Sequence, residues 1–176
     1  MAFFPCIYFE TMQQTYYSLE AINLRGLNNL QKVEYAMDRL DKRTHFHKLL
    51  YKLYALCFMK NLRLIIENPA TVPNYLMSGQ NFPQPTIIDK NRMTRGDYFK
   101  KPTAYWFVNC SPTYGHSYQN DKKQKIIMQC KGGKQAGICS EERSMISPDY
   151  ARNFICDFIL GKEQKHSEPC LKFATE

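Results

Sequence analysis

Four side chains in this sequence could act together on an electron-poor carbon: a thiol at Cys6, a carboxyl at Glu67 and guanidinium groups at Arg92 and Arg95. A cysteine whose thiolate is stabilised by a nearby cation is a nucleophile, and a carboxylic acid beside it can hold or deliver a proton. The same residues also fit a plainer role, with Cys6 an inert buried thiol and Glu67 the cap of a turn. The other reactive types are scattered. His45 and His47 are two apart and cannot share a helical face, and His116 and His166 are isolated, so no metal is expected. The seven cysteines, Cys6, Cys57, Cys110, Cys130, Cys139, Cys156 and Cys170, contain no CxxC pair; they fit neither a disulfide framework nor a zinc ribbon and are read as reduced thiols.

For Cys6 and Glu67 to meet, each must be carried to the same rim by its own strand. The apolar run over residues 2–5 predicts a short buried strand that stops where Pro5 denies a backbone donor, which leaves Cys6 at its end. From Glu10 to about Lys32 the chain is polar and rich in Gln and Asn, and reads as a long loop with one helical turn. Between Val33 and Asn61, the residues Phe46, Leu49, Leu50, Leu53, Tyr54, Leu56, Cys57 and Phe58 recur with helical spacing. Lys42, Arg43, Lys48 and Lys52 fall largely off that stripe. Leu64-Ile65-Ile66 is a second strand, and Pro69 closes it so that Glu67 is delivered at its end. Residues 70–102 read as mostly irregular apart from the apolar pair Ile87-Ile88, and residues 103–108 read as a third strand. Ser147-Pro148-Asp149 caps a last helix whose apolar face holds Tyr150, Phe154, Ile155, Phe158 and Ile159.

This order predicts an α/β fold in a single domain over residues 1–176, with a small sheet of about three mainly parallel strands, flanking helices and long loops. In such a sheet ligands gather at the carboxyl ends of strands, where Cys6 and Glu67 fall. Residues 109–143 carry Lys122, Lys123, Lys125, Lys131 and Lys134 among four glycines and read as a basic loop or hairpin.

The chain has 24 Lys and Arg against 16 Asp and Glu, a net charge of +8 that favours polyanions such as nucleic acid, although a basic surface also serves solubility. Twelve tyrosines and eleven phenylalanines are available either to stack unpaired bases or to fill the core. No run of apolar residues is long enough to span a membrane, and the N-terminus lacks the basic region and cleavage site of a signal peptide, so an intracellular location is expected.

Phe4-Pro5-Cys6-Ile7-Tyr8-Phe9 resembles the Pro-Cys nucleophile segment of DNA cytosine-5 methyltransferases, and Leu64-Ile65-Ile66-Glu67-Asn68-Pro69 resembles their Glu-Asn segment. Residues 89–97, with Arg92 and Arg95, fall where that family has its paired arginines. Residues 96–107, with Lys100 and Lys101, are similar to a signature of its short phage members, and residues 143–152 to the closing segment. The resemblance implies a Rossmann-type methyltransferase-like sheet and a base-flipping chemistry in which Cys6 adds to C6 of cytosine and Glu67 engages N3. Arg92 or Arg95 would support the anion and the DNA backbone, and the loop from Glu10 to Lys32 would close over the base.

The family's methyl-donor site precedes its Pro-Cys segment, which here begins at residue 5. Gly132-Gly133-Lys134-Gln135-Ala136-Gly137 is no phosphate-binding loop either. Ile7 and Glu10 stand where the family has Gln and Ser. The resemblance therefore implies the C-terminal two-thirds of such an enzyme, not methylating by itself. It would bind DNA, RNA or a host nucleoprotein through Lys100, Lys101 and the lysines of the basic loop, in the cytoplasm of a bacterial host and in a counter-defence role of the anti-CRISPR type. The alternative is the catalytic half of a split enzyme that uses Cys6, with S-adenosylmethionine held by a partner chain. The missing strands would lie beside residues 2–5, an edge that a second copy or a partner chain would cover.

Overall fold

The computed structural model describes residues 1–10, 17–70, 74–78, 81–114 and 145–161. They gather into two compact units. The first comprises residues 1–92 and 99–112, and the second residues 93–98 with the chain from residue 113 onward.

The first unit is built on a four-stranded sheet. Its strands are β1 (Ala2–Phe3), β2 (Leu64–Pro69), β3 (Ile87–Asp89) and β4 (Thr103–Val108), in the spatial order β1-β2-β4-β3. Between β1 and β2 run α1 (Cys6–Phe9), a single 3-10 turn at Ile22–Leu24 and the long helix α2 (Asn29–Met59). The α/β class is as expected, but the sheet is mixed. Only β1 and β2 are parallel; β2–β4 and β3–β4 are antiparallel. The reason lies in the connections, since adjacent parallel strands need a crossover and α2 is the only long helix available to supply one in this unit's described residues. The pair Ile87-Ile88 becomes a strand because β4 offers it an edge, with Ile88 opposite Ala104.

β1 is shorter than its apolar run, because Pro5 stands as the N-cap of α1 with an extended backbone and Cys6 opens the helix rather than ending the strand. Glu67 likewise sits within β2, paired with Tyr105, and the strand continues to Pro69. Alternation along β2 and β4 then sorts the two faces. Leu64, Ile66, Ala104, Trp106 and Val108 join Leu50, Cys57, Phe9, Leu76 and Phe82 in the core, while Glu67 and its neighbour Tyr105 are directed to the other face.

α2 starts four residues earlier than Val33 because Asn28 and Gln31 form a reciprocal capping box, each side chain bonding the other's backbone N–H. It ends at Met59 with Lys60 as its cap, and Asn61 just beyond takes a positive φ of 51° that lets the Leu62 N–H return to the Cys57 carbonyl at 2.8 Å. Asn109, just past β4, adds its side-chain amide to the same Cys57 carbonyl at 2.7 Å, so one asparagine fastens the helix end to the sheet. No helix among the described residues is long and apolar enough to cross a membrane.

The second unit centres on α3 (Pro148–Ile155), which continues as a π-helical turn over Cys156–Leu160. Ser147 caps it as expected. Its hydroxyl accepts from the Tyr150 N–H at 3.1 Å and donates to the Gly96 carbonyl at 2.8 Å. Gly161 stops the helix in the left-handed region at φ 60°, where a Cβ would meet the Thr113 side chain at 3.2 Å.

Candidate functional site

The parallel register of β1 and β2 sets Phe3 beside Glu67, so the Pro5-Cys6 turn leaves the sheet at the level where β2 presents Glu67 and Asn68. Asn68 is fully buried and makes the junction explicit: its side-chain amide donates to the Phe4 carbonyl at 3.4 Å. Its carbonyl oxygen accepts from the Asn74 amide at 2.6 Å, and Asn74 in turn donates to the Pro69 carbonyl at 2.8 Å and accepts from the Leu76 N–H at 2.9 Å. Two asparagines therefore tie the segment before Cys6, the end of β2 and the chain at residues 74–76 into one network. Such a network is favourable only because these amide groups find their complements away from water.

Glu67 is buried, and burial pushes its carboxyl above the ordinary value of 4.5, because the charged form is the one that loses hydration. The positive charges of Lys101 and then Arg92 pull the other way without cancelling the effect. A carboxyl held toward its neutral form can donate a hydrogen bond to a ring nitrogen, which a carboxylate cannot. Arg92, itself almost completely buried, thus belongs to the electrostatic surroundings of Glu67. Lys101, assigned from sequence to nucleic-acid contact, is half-buried and acts on the same carboxyl; Lys100 is exposed.

Cys6 is half-buried and forms no disulfide. What fixes its segment comes from α2. Arg39, buried on the inward side of that helix, donates from Nη2 to the Ile7 carbonyl, and its guanidinium lies 5.9 Å from the Tyr8 ring centroid and 5.6 Å from that of Tyr17. Tyr8 also stacks on Phe46 with centroids 5.2 Å apart. Arg43, expected off the apolar stripe, is in fact half-buried, with its guanidinium 4.5 Å from the Tyr75 centroid. Sequence reasoning passed over Arg39, although its place on the inward stripe, seven before Phe46 and eleven before Leu50, was a signal: a charge on a buried stripe needs a partner. Asn74 gave no such signal.

Arg95 belongs to the second unit and is engaged there. Its Nε meets the buried Asp157 carboxylate at 3.0 Å, its guanidinium lies 4.8 Å from the Phe158 centroid, and its carbonyl accepts from the Asn153 amide at 2.9 Å. It is an anchor of the closing helix in this structure, and its guanidinium is committed within the protein. Lys122, Lys123, Lys125, Lys131 and Lys134 lie outside the described residues, as does part of the loop from Glu10 to Lys32. Among the described residues no three His, Cys, Asp or Glu side chains cluster as metal ligands would. Compared with known proteins, the chain matches no family model, no curated protein and no solved structure.

Proposed function

We propose that this chain is a methyltransferase-like nucleic-acid-binding protein whose rim around Glu67 receives an unstacked cytosine. The observation that carries the reading is the hydrogen bond from Asn68 to the Phe4 carbonyl. It joins the two segments on which the resemblance to cytosine-5 methyltransferases rests, which are far apart in sequence and adjacent in space. The direction of the Glu67 shift supports it further, since a neutral carboxyl donates to N3 of cytosine and the nearby Arg92 and Lys101 charges favour an electron-rich ring. The net charge of +8 supplies general attraction to the phosphate backbone. A host nucleoprotein carrying an exposed strand is an equivalent target within this reading, and blocking that strand is how a counter-defence protein would act. Among the described residues no glycine-rich strand-to-helix turn fits a methyl donor, and no step here runs through one.

The test is binding to a DNA duplex with one unpaired cytosine, against the same duplex fully paired. The expected result is a preference for the unpaired base of about tenfold, reduced by Glu67→Gln. Equal affinity for both duplexes, unaltered in the variant, would overturn the reading.

A second reading, the catalytic half of a split cytosine-5 methyltransferase, is favoured by the position of β1 at the sheet edge, where its outer side pairs with no strand among the described residues. Its chemistry has a readout that needs no methyl donor. The Cys6 thiolate adds to C6 as Glu67 protonates N3, and C5 takes a proton from solvent. Loss of the original C5 proton to solvent and expulsion of the thiolate, with the N3 proton returning to the Glu67 carboxylate, then restore the ring. Cytosine C5–H exchange into heavy water, abolished by Cys6→Ser, is expected of that half-enzyme; binding without exchange rejects it.

A further inference from the structure

α2 carries a second stripe that stays exposed. Leu30, Met37, Thr44, Tyr51 and Phe58 recur every seventh residue, with Val33 and Leu40 at the intervening positions of the first half, which is the spacing of a coiled-coil seam; in the second half Tyr51 keeps an exposed edge while its hydroxyl donates to the Asn81 carbonyl at 3.0 Å. Leu30 is 67% exposed, Met37 59%, Tyr51 43% and Phe58 66%. An apolar row of this kind, interrupted only by Thr44 at its midpoint, marks a contact surface more often than a solvated one. The flank of the row says what fits it. It bears Glu34, Asp38 and Asp41 along the first half and His45, Lys48 and Lys52 along the second, all exposed, so the sign of charge reverses close to Thr44, the midpoint of the row. Asp38 already holds Lys42 at 2.7 Å, which leaves Glu34 and Asp41 as the acids available to a partner.

We propose that α2 is a homodimerisation helix that pairs antiparallel with α2 of a second copy about a two-fold axis at Thr44. That operation lays Leu30 on Phe58 and Met37 on Tyr51, and it brings Glu34 and Asp41 alongside Lys52 and Lys48 of the second copy. A parallel arrangement would set this flank against the opposite edge of the partner's row and leave its acids and lysines unpaired, whereas the antiparallel one sets the flank against itself with the signs matched. The contact is separate from the β1 edge and does not rest on the base-binding reading.

Sedimentation of the full chain up to about 100 µM tests it. The expected result is a dimer whose dissociation constant rises at least about tenfold in Met37→Glu, with helical circular dichroism retained. Asp41→Lys weakens the dimer, and adding Lys48→Asp to it restores association. Thr44→Cys yields a disulfide-linked dimer on mild oxidation, through the new thiol. A chain that stays monomeric at about 100 µM overturns the proposal. So does a dimer abolished by Phe3→Lys and untouched by Met37→Glu, which would place the contact at the β1 edge.

Discussion

Glu67 and His47 are both held toward their neutral forms by burial, and they act on stability in opposite directions along the pH axis. For Glu67 the folded pKa is raised above 4.5, so the folded state holds its proton more tightly than the unfolded chain. Stability from this group is present below that value and is lost as pH rises through the raised pKa. For His47, lowered from 6.5 mainly by desolvation, the contribution is present above 6.5 and is lost as pH falls through the depressed value. Urea unfolding across the acid-to-neutral range should therefore show Glu67→Gln removing a loss of stability on the rising side and His47→Gln removing one on the falling side. Asn68→Ala is a different case, because it strands the Phe4 carbonyl and the Asn74 amide together; a destabilisation of about 1–3 kcal/mol is expected by denaturant titration. At this scale the reactive types were legible, since a thiol after proline and a glutamate ending an apolar run stand out from their neighbours. The asparagines that join them were not legible, because a hydrogen-bond partner is chosen by the fold and leaves no periodicity behind.

Among the elements, α2 matters for what its inward face holds as much as for its length. Arg39 reaches from that face to the Ile7 carbonyl, so it acts as a positioning residue for the turn that carries Cys6. Arg39→Met keeps the aliphatic stem and removes the donor. Faster alkylation of Cys6, about two- to tenfold by mass spectrometry, is expected as α1 loosens and opens locally more often. An unchanged rate would show that α1 is held without Arg39. The strand over residues 103–108, the capped last helix and the long helix were readable because each satisfies one strong local rule: β-branched and aromatic content, a Ser-Pro cap, a helical stripe. Strand direction and the strand at Ile87–Asp89 were not readable, because each depends on which neighbour offers an edge.

For the whole molecule the governing quantity is charge. With a net +8, association with DNA should release counterions, and affinity should fall by at least about tenfold between about 50 and 200 mM salt. A flat salt response in a binding titration would mean that phosphate contacts contribute little. The α/β class was legible from the alternation of strand and helix signals, whereas the mixed sheet was not, since among the described residues only the parallel pair β1–β2 has a long helix to span it.

That parallel pair also dictates an order of events. β1 contributes two residues, and their partners Ile66 and Glu67 lie beyond the whole of α2. Closing so long a loop costs chain entropy that two residue pairs repay poorly, so β1 zips onto β2 only after α2 and the β2–β4 ladder already exist. During synthesis β2 also leaves the ribosome long after the N-terminus does. Until then the strand before Cys6 is unpaired and open to pairing with another chain, and Glu67 and Asn68 are not yet beside that thiol.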